Sequence, residues 1–222
     1  GDRDFSFYRN PGADMMLTVD ELNLDLVRDT RIFHFGTLSM THDGIRATTK
    51  KAVETAKEAG ALISFDPNLR EPLWDSLDNA KEQVRWGLGK CDVLKISDNE
   101  VEFLFDTTDY DKGAALIEEK YHIPLVLITM GKDGSRAYYR GRKVEAAPFL
   151  QEKTIETTGA GDTFCGYFLA AACAHKSPQA ALCEASAAAA LAVSRAGAAP
   201  SIPQADEVRT FLKKRMFLQQ IE

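Results

Sequence analysis

Thr157-Thr158-Gly159-Ala160-Gly161-Asp162-Thr163-Phe164 sets a turn of small residues directly before a long apolar run and places one carboxylate at the junction. The first residues of a helix carry N–H groups without intrahelical partners and the positive end of the helix dipole. Gly159, Ala160 and Gly161 leave an anion room to reach that backbone, so the pattern reads as a phosphate site. Asp162 would repel a phosphate unless its carboxylate is a base that takes a proton from a hydroxyl attacking it. Taken alone, G-x-G-D serves equally well as a turn in which Asp162 only caps its own helix.

Two commoner nucleotide motifs fail on the same residues. A dinucleotide-binding G-x-G-x-x-G would need glycine where Phe164 stands, and a P-loop needs G-x-x-x-x-G-K-[ST], a string absent from all 222 residues. A phosphate bound here is held without a P-loop lysine.

Composition narrows the class. With 45% hydrophobic and 27% charged residues, the chain suits one globular domain with a sizeable core. Its net charge of −6, with no basic cluster longer than Lys213-Lys214-Arg215, argues against nucleic acid as a partner. The apolar run Ala187 to Val193 is too short to span a bilayer, and Gly1-Asp2-Arg3-Asp4 is no signal peptide, so a cytoplasmic protein without a membrane partner is expected. Cys91, Cys165, Cys173 and Cys183 form no C-x-x-C and read as buried free thiols. His34, His42, His122 and His175 show no metal-ligand spacing. The chain starts at Gly1 without methionine and enters a strand-like aromatic stretch at once, which reads as a start inside a longer protein.

Along the chain, strand and helix patterns alternate. Asp4 to Arg9 alternates like a strand, Asp20 to Val27 has helical spacing, and Arg31 to Gly36 reads as a buried strand. Thr41 to Ala59 reads as a helix closed by Gly60, and Ala61 to Phe65 as the next strand, which together make a parallel unit. Helices follow at Leu77 to Leu88 and Asp109 to Tyr121, and strands at Asp92 to Ile96 and Leu125 to Thr129. Ser135 to Tyr139 and Arg142 to Ala147 alternate as further strands. Phe164 to Ala174, Ser177 to Val193 and Pro203 to Phe217 complete the chain as helices, the second of them apolar nearly all round. The fold class is α/β with a mostly parallel sheet.

In open parallel sheets ligands gather beyond the carboxyl ends of strands, which draws attention to three loops. Asp66-Pro67-Asn68-Leu69-Arg70 follows the second strand, although Asp-Pro-Asn is also an ordinary turn. Ser97-Asp98-Asn99-Glu100-Val101-Glu102 follows the third. There Ser97-x-x-Glu100 is a capping box, and Asn99 and Glu102 share a helix face that can be plain solvated surface or a site for hydrated magnesium. Gly131-Lys132-Asp133-Gly134 follows the strand ending at Thr129 and carries a hairpin signature.

Glu156 to Phe164 resembles the D-T-T-G-A-G-D signature of the ribokinase-like, or pfkB, carbohydrate kinases, with Glu156 in place of the usual aspartate. Similarity runs through the whole chain in order. Asp66-Pro67-Asn68-Leu69-Arg70 resembles the D-P-N-x-R segment of fructokinases, Asn99-x-x-Glu102 the N-x-x-E motif, Thr129-x-Gly131-x-x-Gly134 the T-x-G-x-x-G motif, and Ala192 to Ser201 the segment that closes over adenine. The resemblance implies a three-layer α/β/α ribokinase-like domain over residues 19–222, with residues 1–18 a remnant of a β lid and the N-terminal part of the fold missing. It implies ATP and Mg2+ as cofactors. Asp162 would be the catalytic base, and the amides of Gly159, Ala160, Gly161 and Asp162 an anion hole. Asn99 and Glu102 would hold magnesium through water. Thr129, Gly131, Gly134, Ala192 and Gly197 would line the nucleotide, with Asn68 and Arg70 near the sugar or the transferred phosphoryl group. Glu156, Thr158, Ala192, Arg195, Gly197 and Ser201 would hold a monovalent cation such as K+, and the lid would pair in a homodimer. Fructose is the first substrate expected. The alternatives are another small sugar, a sugar acid or a nucleoside, or an inactive nucleotide-binding fragment.

Overall fold

The computed structural model describes residues 7–9, 11–149, 151 and 153–219. In chain order, the described residues form α1 (Leu24–Arg28), β1 (Ile32–Gly36), α2 (Asp43–Glu58), β2 (Leu62–Asp66), α3 (Leu77–Leu88), β3 (Val93–Ser97), α4 (Asp98–Phe105) and α5 (Tyr110–Tyr121). There follow β4 (Leu125–Thr129), β5 (Ser135–Tyr139), β6 (Arg142–Ala146), α6 (Ala160–Cys173), α7 (Pro178–Val193) and α8 (Ala205–Gln219). The strands follow their chain order in a six-stranded sheet. Strands β1 to β3 run parallel, while β5 and β6 are antiparallel. This is the α/β architecture read from the sequence. The backbone gathers into two compact units, Gly1–Val126 and Leu127–Glu222.

In the first unit the elements form where their side chains can be buried on one face. The inward positions of α2 are Ile45, Thr48, Thr49, Ala52, Val53, Thr55 and Ala56, the three-and-four spacing of a helix with one covered stripe. Gly60 follows with φ of +83°, a left-handed value that glycine takes without strain, and turns the chain into β2. Ring stacking ties the strands to α3: Phe35 and Phe65 lie 4.6 Å apart by ring centroid, and Trp86 meets Phe35 edge-on at 6.0 Å. At Gly87 of α3 a β-carbon would stand 2.5 Å from the Phe65 ring, so glycine there is what lets helix and strand approach.

The second unit is built on three helices. Buried Ala187 and Ala188 of α7 and Val208 of α8 form a small core, with Tyr167 of α6 and Phe211 of α8 packed against it. Small residues along α7 allow this close approach, and α6 packs along it. Phe149 and Phe211 close the cluster edge-on at 5.6 Å.

Four expectations change. Asp4 to Ser6 of the expected first strand lie outside the described residues, and Phe7 to Arg9 have no strand geometry. The Arg9 guanidinium donates to Thr41 Oγ1 and the Leu38 carbonyl and pairs with Asp14, while Tyr8 is 94% exposed. Among the described residues strand β1 is half-covered rather than buried, with His34 exposed, and it stands at the edge of the sheet they form. Gly197, which read by itself is a helix C-cap, does not cap α7, which ends at Val193 with Ser194 as its C-cap. All four cysteines are free, two of them only half-buried, and burial pushes the Cys91 thiol up to about 12. No helix among the described residues is long and apolar enough to cross a membrane.

Candidate active site

In the first unit the candidate residues stand at the carboxyl ends of neighbouring parallel strands. Ser64 and Phe65 of β2 pair in register with Val93 and Leu94 of β3, so the loop after β2 and helix α4 after β3 emerge side by side. The loop carries half-buried Asn68 and Arg70. Asn68 has φ of +46°, an uncommon value that asparagine tolerates better than most residues, and its N–H donates to Asp66 Oδ1 at 3.2 Å. Helix α4 begins with the expected capping box, its Ser97 and Glu100 exchanging bonds at the N-cap. Asn99 and Glu102 lie on its outer face, both exposed. These are neutral and anionic oxygen donors open to solvent, which fits a magnesium ion held through its water shell. Among the described residues no cluster of three or more His, Cys, Asp or Glu stands ready to hold a metal directly.

Sequence reasoning missed what fixes this loop. Lys95, in the middle of β3 and 6% exposed, reaches Asp66, itself 4% exposed, with its Nζ 3.0 Å from Oδ2. Taking two charges out of water costs several kcal/mol each, so the pair persists only through close geometry and further hydrogen bonds. Thr37 donates to the Pro67 carbonyl from both its backbone N–H, at 3.1 Å, and its hydroxyl, at 2.5 Å. A lysine inside Val93-Leu94-Lys95-Ile96 was the available signal, since a charge in an apolar strand needs a buried partner.

In the second unit α6 begins at the bend itself. Gly159 is its N-cap with φ of +75°, and Asp162 stands at its third position, exposed, ahead of the buried Thr163, Phe164 and Cys165. A β-carbon at 159 would meet Ala198 at an ordinary 3.6 Å, so backbone conformation rather than space selects glycine there. The first-turn amides are not all equally available. Thr163 N–H donates to the Gly159 carbonyl at 2.8 Å and Ala160 N–H to the Thr157 carbonyl at 3.3 Å. The amides of Gly161 and Asp162 have no acceptor among the described residues, so an anion would find its donors there.

The remaining candidates of this unit fall into two groups. Glu156 and Ile155 donate their backbone N–H groups to the Val193 carbonyl, and Glu156 Oε2 accepts from Gly197 N–H at 2.7 Å. Direct bonds thus join Glu156 to Val193 and Gly197, while the Ala192 carbonyl accepts from Arg195 N–H and Thr158 is placed only by its nearness in sequence to Glu156. Thr157 Oγ1 is buried without a hydrogen-bond partner among the described residues. Ser201, fully buried, donates its hydroxyl to the Ala198 carbonyl at 2.7 Å. Arg195 turns its guanidinium to Glu207, with Nη2 2.6 Å from Oε1, and that bond holds the Glu207 carboxyl below the usual carboxylate range. In the other group, Thr129 ends β4, Gly131 opens a 3-10 turn and Gly134 caps it, with φ of +52° and +93°. Gly134 is required by the hairpin, since a β-carbon would lie 2.3 Å from the Ala146 carbonyl oxygen, whereas Gly131 faces open space.

The model of the pfkB family of carbohydrate kinases matches residues 1–205. Fructokinase-2 of Solanum lycopersicum is 42% identical over 220 residues, covering 96% of this chain and 67% of the relative. A solved putative ribokinase II from E. coli, in complex with ATP and Mg2+, superposes with a TM-score of 0.88 at 27% identity, over 96% of this chain and 68% of that one. A fructokinase double mutant from Vibrio cholerae O395, in fructose, ADP and potassium ion bound form, gives a TM-score of 0.81 at 28% identity, over 91% of this chain and 66% of that one. The chain thus spans about two thirds of the length of these relatives.

Proposed function

Because the chain belongs to the pfkB family of carbohydrate kinases, we propose that it transfers the γ-phosphoryl group of ATP to a primary hydroxyl of a hexose, with fructose as the acceptor. The observation that carries this reading is the start of α6, where an exposed Asp162 stands with two amides that have no acceptor among the described residues. The acceptor hydroxyl gives its proton to the Asp162 carboxylate as its oxygen bonds to phosphorus and the bond to the departing ADP breaks. The amides of Gly161 and Asp162 donate to the oxygens of the transferring group, whose charge they meet without reorganising. Asn99 and Glu102 orient magnesium through its water shell, and that ion supplies charge neutralisation to the phosphates. Asn68 and Arg70 position the sugar. Arginine suits the place because its planar fork also answers phosphate oxygens as they approach.

A coupled assay of ADP release over a panel of sugars, sugar acids and nucleosides tests the substrate. Fructose is expected to give the highest kcat/KM. Turnover with another acceptor and none with fructose would replace the substrate, and ATP binding without any turnover would support the inactive-fragment alternative.

Potassium is the proposed monovalent ion, held where Glu156, Thr158 and the carbonyls around Ala192 and Gly197 meet. The buried Thr157 Oγ1, which has no hydrogen-bond partner among the described residues, supports an additional ligand there. Turnover is expected to fall when lithium replaces potassium. Equal rates in the two salts would remove the ion from the reading.

A further inference from the structure

Glu100 reads from sequence as half of a capping box, and the structure gives its carboxylate a second partner. One oxygen, Oε2, accepts from Ser97 N–H at 2.8 Å and from the Ser97 hydroxyl at 2.9 Å, which completes the cap of α4. The other, Oε1, accepts from Leu69 N–H at 2.8 Å, across 31 residues of chain. The side chain is 8% exposed, so both oxygens are matched to donors away from bulk water. Leu69 lies between Asn68 and Arg70, and Glu100 lies between Asn99 and Glu102. We propose that Glu100 is a positioning residue whose single buried carboxylate locks the Asn68–Arg70 loop to the segment that carries Asn99 and Glu102.

The neighbouring contacts explain why this bond is needed. Asp66 and Pro67, at the root of the loop, are already fixed by Lys95 and by Thr37. Beyond them the backbone takes the left-handed turn at Asn68, and the Leu69 amide is the next donor that must find an acceptor. A charged acceptor at 2.8 Å makes this one of the stronger bonds in the loop. A carboxylate, which accepts at both oxygens, suits a position facing backbone N–H groups on two sides. An amide cannot do the same, because its NH2 would face either the Ser97 or the Leu69 donor.

This inference rests on the kinase reading for its kinetic consequence and on geometry alone for its structural one, so two readouts are taken. The first is steady-state kinetics of Glu100→Gln with fructose and ATP. The fructose KM is expected to rise on the order of tenfold, because sub-ångström misplacement of a binding loop is costly, while the ATP KM stays unchanged. The second is amide exchange over residues 67–70, which is expected to accelerate in the variant while exchange in β2 and β3 does not. Ser97→Ala removes the other side of the cap but leaves the Glu100 to Leu69 bond. It is expected to lower thermal stability without moving the fructose KM. If Glu100→Gln does not fold, Glu100→Asp, one methylene too short to bridge both partners, is read the same way. Unchanged exchange over residues 67–70, or an equal rise in fructose KM from Ser97→Ala, would overturn the proposal. Faster loop exchange in a protein that does not turn over fructose would uphold the tether and reject the substrate.

Discussion

Among the described residues Asp162 is held by its place on the helix rather than by side-chain partners. It stands in the first turn of α6 with its side chain exposed, its backbone N–H at the positive end of the helix, and the proposed reaction makes its carboxylate the base. Asparagine has the same shape and cannot act as the base. Asp162→Asn is therefore expected to lower kcat on the order of a thousandfold while leaving the ATP KM within a few-fold, as measured by steady-state kinetics. Turnover near that of the unaltered protein would refute the base assignment. At this scale the sequence was informative about chemistry and silent about partners. Asp162, Asn99 and Glu102 could be singled out as candidates because each falls in a short motif at the end of a strand or the start of a helix. The second bond of Glu100 and the burial of Lys95 against Asp66 depend on residues about thirty positions away, which no local pattern records.

Element by element, the helices and strands that bury one face were legible to within a few residues, α3 and β4 with their ends included. The spacing of covered side chains is a local property, and so is an N-cap such as Ser76, Asp109 or Ser177. What failed was set by distant chain. Gly197 reads as a helix end, yet its N–H is taken by Glu156, forty-one residues back, and α7 stops earlier. Packing between elements yields its own prediction at Gly87. Alanine there would gain about 1 kcal/mol of helix propensity, but its methyl would stand 2.5 Å from the Phe65 ring, and overpacking of this kind costs about 1–3 kcal/mol. Gly87→Ala is thus expected to be neutral to destabilising, by up to about 2 kcal/mol in chemical denaturation. A clear stabilisation would show that the Phe65 ring yields freely.

For the molecule as a whole, composition set the class and the motifs set the chemistry. An acidic chain with ordinary hydrophobic content turned aside nucleic-acid readings, and motifs matched in order over nearly its full length pointed to one family before any coordinates did. The parallel strands β1 to β3 place the loop after β2 beside α4, as the general rule for open sheets requires. The two compact units were not legible, since the sequence shows no linker at Val126 and Leu127, which lie inside a strand. The central claim is that a phosphoryl group passes from ATP to a sugar hydroxyl. Phosphorus NMR of the protein incubated with fructose, ATP and magnesium tests it most directly. The account predicts a new phosphomonoester resonance, coupled to a primary carbinol of fructose, growing as the γ-phosphate signal decays. Loss of the γ-phosphate signal to inorganic phosphate alone, or no loss at all, would contradict it.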